Sequence, residues 1–123
     1  MEGTLTNGKK WASGTGSTAG SIYFEHLNNV TAKSFSYITI QLDFKPSVIV
    51  VSGSGSDTEY FSVFNNLGKL WGNKNVKLCG YSGNYLNTTT HNMKVDSGVD
   101  LGNNTYQIPL YKSSTSVSWV AYE

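Results

Sequence analysis

The chain has 123 residues, a formal charge of +1, 38% apolar residues and only 14% charged ones, which suits one domain able to bury its own core. Sixteen Ser, twelve Thr, twelve Asn and 13 Gly dominate it and arginine is missing, which excludes a helical bundle, whose exposed faces need Ala, Glu, Lys and Arg. Ten Val and 13% aromatics are more than a disordered chain carries.

The predicted elements are short strands. Leu5-Thr6-Asn7-Gly8-Lys9 carries an Asn-Gly hairpin signal. Ala12–Ser21, rich in Gly, Ser and Thr, reads as a flexible loop, and Ser21–Leu27 as a strand with Ile22 and Phe24. Ser34–Leu42 alternates with period two, which puts Ser36, Ile38, Ile40 and Leu42 on one face and Phe35, Tyr37, Thr39 and Gln41 on the other. Pro46 ends that pattern, because proline cannot donate to a ladder. Ser47–Ser52 reads as a fully buried strand, Gly53–Asp57 as a mobile turn and Glu59–Asn65 as the next strand. Turns follow at Asn65-Asn66 and Leu67-Gly68, then short strands at Lys69–Trp71 and Val76–Cys79 around Gly72–Asn75. Gly80–Asn87 is loop-like, Thr88–Val95 a strand and Asp96–Asn104 a turn-rich loop. Tyr106–Tyr111 and Val117–Tyr122 complete the set, with Val117, Trp119 and Ala121 sharing a face of the last strand. No helical window of useful length emerges. About eight to ten short strands separated by turns predict an all-β fold, an antiparallel β-sandwich of jelly-roll or related topology spanning residues 1–123 as one domain.

Charge and chemistry remove many functions. Nine dispersed lysines without arginine give no forked donor for phosphate or guanine, so no nucleic-acid partner is expected, and Lys74 and Lys77 read as solvated strand positions. The lone Cys79 allows neither an intrachain disulfide nor a multi-thiolate metal site and reads as a small buried hydrophobe. Met1-Glu2-Gly3-Thr4 opens without the basic and apolar regions of a Sec signal peptide, and the run Val48–Val51 is far too short to span a bilayer. The expectation is a protein made in a cytoplasm, without a membrane span.

A catalytic constellation is not visible. His26 and His91 each lack a second ligand or a catalytic partner at useful spacing, and no serine sits in a nucleophile elbow. The stretch Asp96, Asp100, Asn103 and Asn104 offers oxygen ligands but does not match a calcium loop. No catalytic, cofactor or metal residues are therefore assigned, and the chain is expected not to be an enzyme. The aromatics carry more. Trp11, Trp71, Tyr81 and Tyr85 lie among Asn, Ser and Thr, where they could stack on sugar rings or form a subunit interface; the alternative is that Trp71 and Tyr81 pack under loops while Trp119 and Phe61 fill the core.

Two segments carry a resemblance. Phe44-Lys45-Pro46-Ser47-Val48-Ile49-Val50-Val51 is similar to a strand entry of small β-domains from phages of Gram-positive bacteria, and Val117-Ser118-Trp119-Val120-Ala121-Tyr122-Glu123 looks like their terminal strand. With the Ser/Thr/Asn/Gly bias and the chain length, the sequence resembles Bacillus prophage lytic-cassette proteins of the YomS type, and through them the C-terminal domain of the exported prophage protein XepA. The resemblance covers residues 33–123. It implies a β-sandwich subunit that assembles into a homo-oligomeric ring, pentameric in form, within a host-lysis or late-assembly programme. Phe44, Pro46, Trp119 and Tyr122 match its pattern and read as structural. Such a protein would reside in the host cytoplasm before lysis and be released or virion-associated afterwards. The second reading is a phage-associated module that binds cell-wall glycan; the third is a cell-wall hydrolase.

Overall fold

Eleven strands form in chain order: β1 (Glu2–Thr4), β2 (Lys10–Gly16), β3 (Ala19–Glu25), β4 (Ala32–Gln41), β5 (Val48–Gly55), β6 (Thr58–Leu70), β7 (Asn73–Ser82), β8 (Asn87–Lys94), β9 (Asp100–Gly102), β10 (Thr105–Leu110) and β11 (Val117–Tyr122). The computed structural model describes residues 1–27, 32–55, 58–70, 73–82, 87–96, 98–113 and 116–123. The strands make two packed antiparallel sheets, one of them a curled half-barrel. The larger has the order β1-β2-β11-β5-β6-β7-β8 and the smaller β3-β4-β10-β9. No helix occurs among the described residues, and the fold is the all-β sandwich that the period-two patterning predicts.

Strand pairing decides which side chains enter the core, because successive residues point to opposite faces. On the inner face of the large sheet the register aligns Ala12, Ala121, Ile49, Phe64, Val76 and Met93 across six strands. All six are essentially excluded from water. Ile38, Ile40, Tyr106, Ile108 and Leu110 of the small sheet meet them, and Phe64 tilts against Tyr106 with ring centroids 5.0 Å apart. A polar group enters this core. The Ser62 hydroxyl, fully buried, donates to the Pro109 carbonyl across the sheets at 2.5 Å. Pro109 is tolerated in β10 because β9 pairs only with Thr105 and Tyr106, so that beside Pro109 the strand has no ladder to supply on that side.

Several local expectations are corrected. Residues 12–21 are not a flexible loop: 12–16 lie in β2, paired in full with β11, and 19–21 begin β3. Glycine there serves close approach. A Cβ on Gly14 would lie 2.6 Å from the Trp119 ring, which lies over its cross-strand partner. Gly53–Gly55 continue β5 and β6 runs through the predicted turns at 65–68 to Leu70, with an irregular register between Asn65 and Leu70; residues 56 and 57 lie outside the described residues. The loop 96–104 contains β9 and a two-residue connection, Asn103-Asn104, both at positive φ (53° and 56°), as a type I′ hairpin requires. Phe35, expected on the face opposite Ile38 and Ile40, is buried, whereas Ser36 is only half-buried. A register shift between Ala19 and Ile22 of β3 lies opposite this point, and such a bulge twists the pair and re-aims its side chains. Phe61 faces outward from the large sheet and does not fill the core, since its neighbours Tyr60 and Ser62 hold the inner positions.

The N-terminal hairpin forms as the Asn-Gly signal predicts. Leu5 N–H donates to the Lys9 carbonyl at 2.6 Å, Gly8 N–H donates to the Leu5 carbonyl, and Gly8 adopts φ 84°.

Two substitutions test the packing. Gly14→Ala, which in an ordinary strand would stabilise by about 0.5–1 kcal/mol, should instead destabilise by about 1–3 kcal/mol through overlap with Trp119. Ser62→Ala should cost about 1–3 kcal/mol by leaving the Pro109 carbonyl buried without a donor. Urea midpoints measured beside the parent chain check both.

Candidate functional site: an uncharged sheet face and a histidine pair

The large sheet has an outer face that the small sheet does not cover. Alternation places there the rows Trp11–Tyr122–Val48–Asn65, Ser13–Val120–Val50–Val63 and Thr15–Ser118–Ser52–Phe61 across β2, β11, β5 and β6. The row Val120–Val50–Val63 is half-buried by its neighbours within the sheet. Of the described outward side chains on these four strands, only Glu59 is charged, and Lys77 of β7 borders them beside Val63. At one end of the face, Ser52, Ser54, Glu59, Phe61, Ser116 and Ser118 line an open groove of about 380 Å3. Four hydroxyls, one carboxylate and one ring in a concave surface are a donor and acceptor set that suits a polyhydroxylated ligand.

The residues singled out in the sequence fall in different places. Trp11 lies over Gly3 and borders a shallow pocket of about 190 Å3 with Glu2, Lys10 and Asp43. Trp71 and Tyr85 lie outside the described residues, as does the side chain of Tyr81. Phe44 and Pro46 are buried, and Trp119 packs against the core from β11. Tyr122 is 38% exposed on the outer face, so of the four pattern residues it alone is set toward solvent. Cys79 is buried and free, in keeping with its reading as a small hydrophobe. Lys74 and Lys77 are exposed.

The histidines, read separately in the sequence, are brought together. Residue 26 follows β3 at the edge of the small sheet, and His91 lies on β8 at the edge of the large one. These edges meet in a seam where His26 bridges to Met93 and the Leu27 N–H donates to the Asn92 carbonyl at 2.9 Å. Lys94 adds a 3.4 Å ion pair to Glu25 across it. Inside the seam, His26 Nε2 lies 3.1 Å from His91 Nδ1. The ring centroids are 5.3 Å apart, close to the full span that this N···N separation allows when the two nitrogens point straight at each other. That arrangement suits one proton held between two lone pairs. A chelated metal would bend the two rings toward a shared apex and bring the centroids closer.

His91 is enclosed by aromatic rings. Phe35 meets it edge-on at 5.3 Å, and Tyr111 stacks against it at 6.2 Å, 24° from parallel. Tyr111 gets there by lying over Gly80, where a Cβ would overlap its ring. His91 Nε2 is buried and has no hydrogen-bond partner among the described residues. Burial first, then the Lys33 ammonium and His26, push the His91 pKa below its ordinary value of 6.5. No sequence signal marks the pair, since 65 residues separate its members and the seam that joins them comes from the curl of the sheets.

Among the described residues no three His, Cys, Asp or Glu side chains are placed to hold a metal ion. Asp100 Oδ1 accepts the Gly102 N–H at 2.9 Å within its own hairpin. Comparisons with protein-family models, with curated proteins and with solved structures each find no match.

The lowered His91 pKa sets the sign of a pH dependence. The unfolded chain takes up a proton near pH 6.5 and the folded chain only at lower pH, so stability is complete above 6.5 and is lost as pH falls from there toward the folded value. Thermal unfolding of the parent chain against His91→Phe should show this acid-side loss in the parent and a smaller one in the variant.

Proposed function

We propose that this chain is a non-enzymatic structural subunit that assembles with copies of itself through the outer face of the large sheet. The observation that carries the reading is the run of aliphatic and small polar side chains across β2, β11, β5 and β6, with Glu59 the single outward charge among those described. Interface cores are depleted in charge and enriched in aromatics such as Trp11 and Tyr122. A surface without charge can meet another copy without like-charge repulsion, whereas a charged one needs a complementary partner. The resemblance to prophage lytic-cassette proteins supplies the setting: a homo-oligomeric ring, five-fold in form, made in the host cytoplasm and acting in lysis or late assembly. A ring requires this face to meet a different surface of the next copy, because a face that meets itself closes at two.

A second reading rests on the groove at 52–61 and 116–118. Its serine hydroxyls and Glu59 would hydrogen-bond a neutral sugar, and Phe61 would cover an apolar ring face, as expected of a module that binds cell-wall glycan.

Light scattering separates the two. Assembly predicts a mass several times 13.4 kDa, reduced to the single-chain value by Val50→Lys, which sets a charge at the centre of the face while leaving the inner core untouched. A monomeric parent chain overturns the assembly. Binding to purified cell wall that Phe61→Ala abolishes, without change in the circular dichroism spectrum, supports the glycan reading.

A further inference from the structure

The seam between β3 and β8 joins the two sheets through few contacts. Among the described residues it holds the bridge of His26 with Met93, the backbone hydrogen bond from Leu27 to Asn92, the half-buried Lys94–Glu25 ion pair and the histidine contact. A partly solvated ion pair adds about 1 kcal/mol or less, and the equally half-buried His26–His91 contact at 3.1 Å is the side-chain tie whose form depends on histidine protons.

Proton counting shows how that tie behaves. With both rings neutral, one N–H lies between Nε2 of His26 and Nδ1 of His91, and one ring donates to the other. A first added proton must go to a nitrogen off this axis, and the bond survives. A second must enter the axis, where two N–H groups would then face each other across 3.1 Å and the bond becomes a repulsion. The groups around the pair hasten its failure. Among the described residues, Lys33 on β4 repels added charge, the rings of Phe35 and Tyr111 carry none, and Glu25 on β3 pairs with Lys94 on β8.

We propose that His26 and His91 form a proton-operated latch, closed when the pair shares one proton and open when both rings are charged, whose opening parts β3 from β8. The result is local. It frees the Leu27 N–H and the Asn92 carbonyl and exposes the edges of both sheets, which are surfaces that can pair with another strand. The latch acts whether or not the chain assembles through its outer face.

Nitrogen-15 NMR of the intact chain tests it. At about pH 7.5 a through-hydrogen-bond coupling should link Nε2 of His26 to Nδ1 of His91, and by about pH 4, below the range in which an isolated histidine titrates, it should vanish, because the second proton enters a pair that is already charged. Over the same range the exchange protection factor of the Leu27 amide should fall by about tenfold or more, while amides of β11 keep theirs. In His91→Phe the Leu27 protection factor should not change with pH. A Leu27 protection factor in the parent chain equal at both pH values overturns the latch, as does a coupling that persists in acid. The parent titration decides the matter even if the variant fails to fold.

Discussion

An aromatic ring and a Cβ cannot occupy the same space, and the large sheet is organised around that exclusion. Trp119 lies over Gly14, Trp11 over Gly3 and Tyr111 over Gly80. The first two are directly paired residues on neighbouring strands, and the third brings a side chain beside the small sheet onto the inner face of the large one. Replacing the glycine Cβ by a ring fills the pleat with apolar surface where a glycine strand would otherwise be bare. It also fixes register: a slip of one residue would send Trp119 to the solvent face. The pair Trp119–Gly14 joins β11 to β2, and through them the N-terminal hairpin to the rest of the sheet. Tyr111 over Gly80 places the ring that stacks on His91, so the same constraint reaches from the core to the seam.

The β-sandwich was legible because alternation is a local signal. Ser34–Leu42, Ser47–Ser52 and Val117–Tyr122 each declare their faces within a few residues, and the Asn-Gly turn declares its hairpin. What the sequence conceals is long-range. Glycine at 14 and 16 looks like flexibility until Trp119 arrives from more than one hundred residues away, and then it becomes a close-packed strand. Phe35 lies opposite Ile38 and Ile40 by alternation, yet it is buried beside an irregular stretch of β3 and against His91. Phe61 looks like core because it is apolar, yet its parity with the buried Tyr60 and Ser62 puts it outside. The histidine pair was the least legible feature. Neither ring has a useful neighbour along the chain, and only the meeting of two sheet edges makes them partners.

The outer face and the seam differ in kind. The face is broad, poor in charge and built on the middle strands of the sheet, where the backbone is paired on both sides. The seam is narrow, polar and placed where one sheet gives way to the other. Surfaces of the first kind suit permanent contacts, whose strength comes from area and shape. Sites of the second kind respond to conditions, because a small change in one bond is a large share of what holds them. The scarcity of charge therefore has a structural counterpart in a surface on which few groups resist close contact.

Strand β11 lies in the middle of the large sheet, between β2 and β5, although every other strand precedes it in the chain. Until residues 117–122 have left the ribosome, the N-terminal hairpin has no sheet to join and the edge of β5 has no neighbour. The β5–β8 meander can form early from contacts between adjacent strands, but closure waits for a pairing between residues about one hundred positions apart, which is slow by the loop-closure argument. A nascent chain thus carries an open aliphatic strand edge from the emergence of β5 until that of β11. The later strand is the keystone of the sheet, and its arrival closes the edge to mispairing.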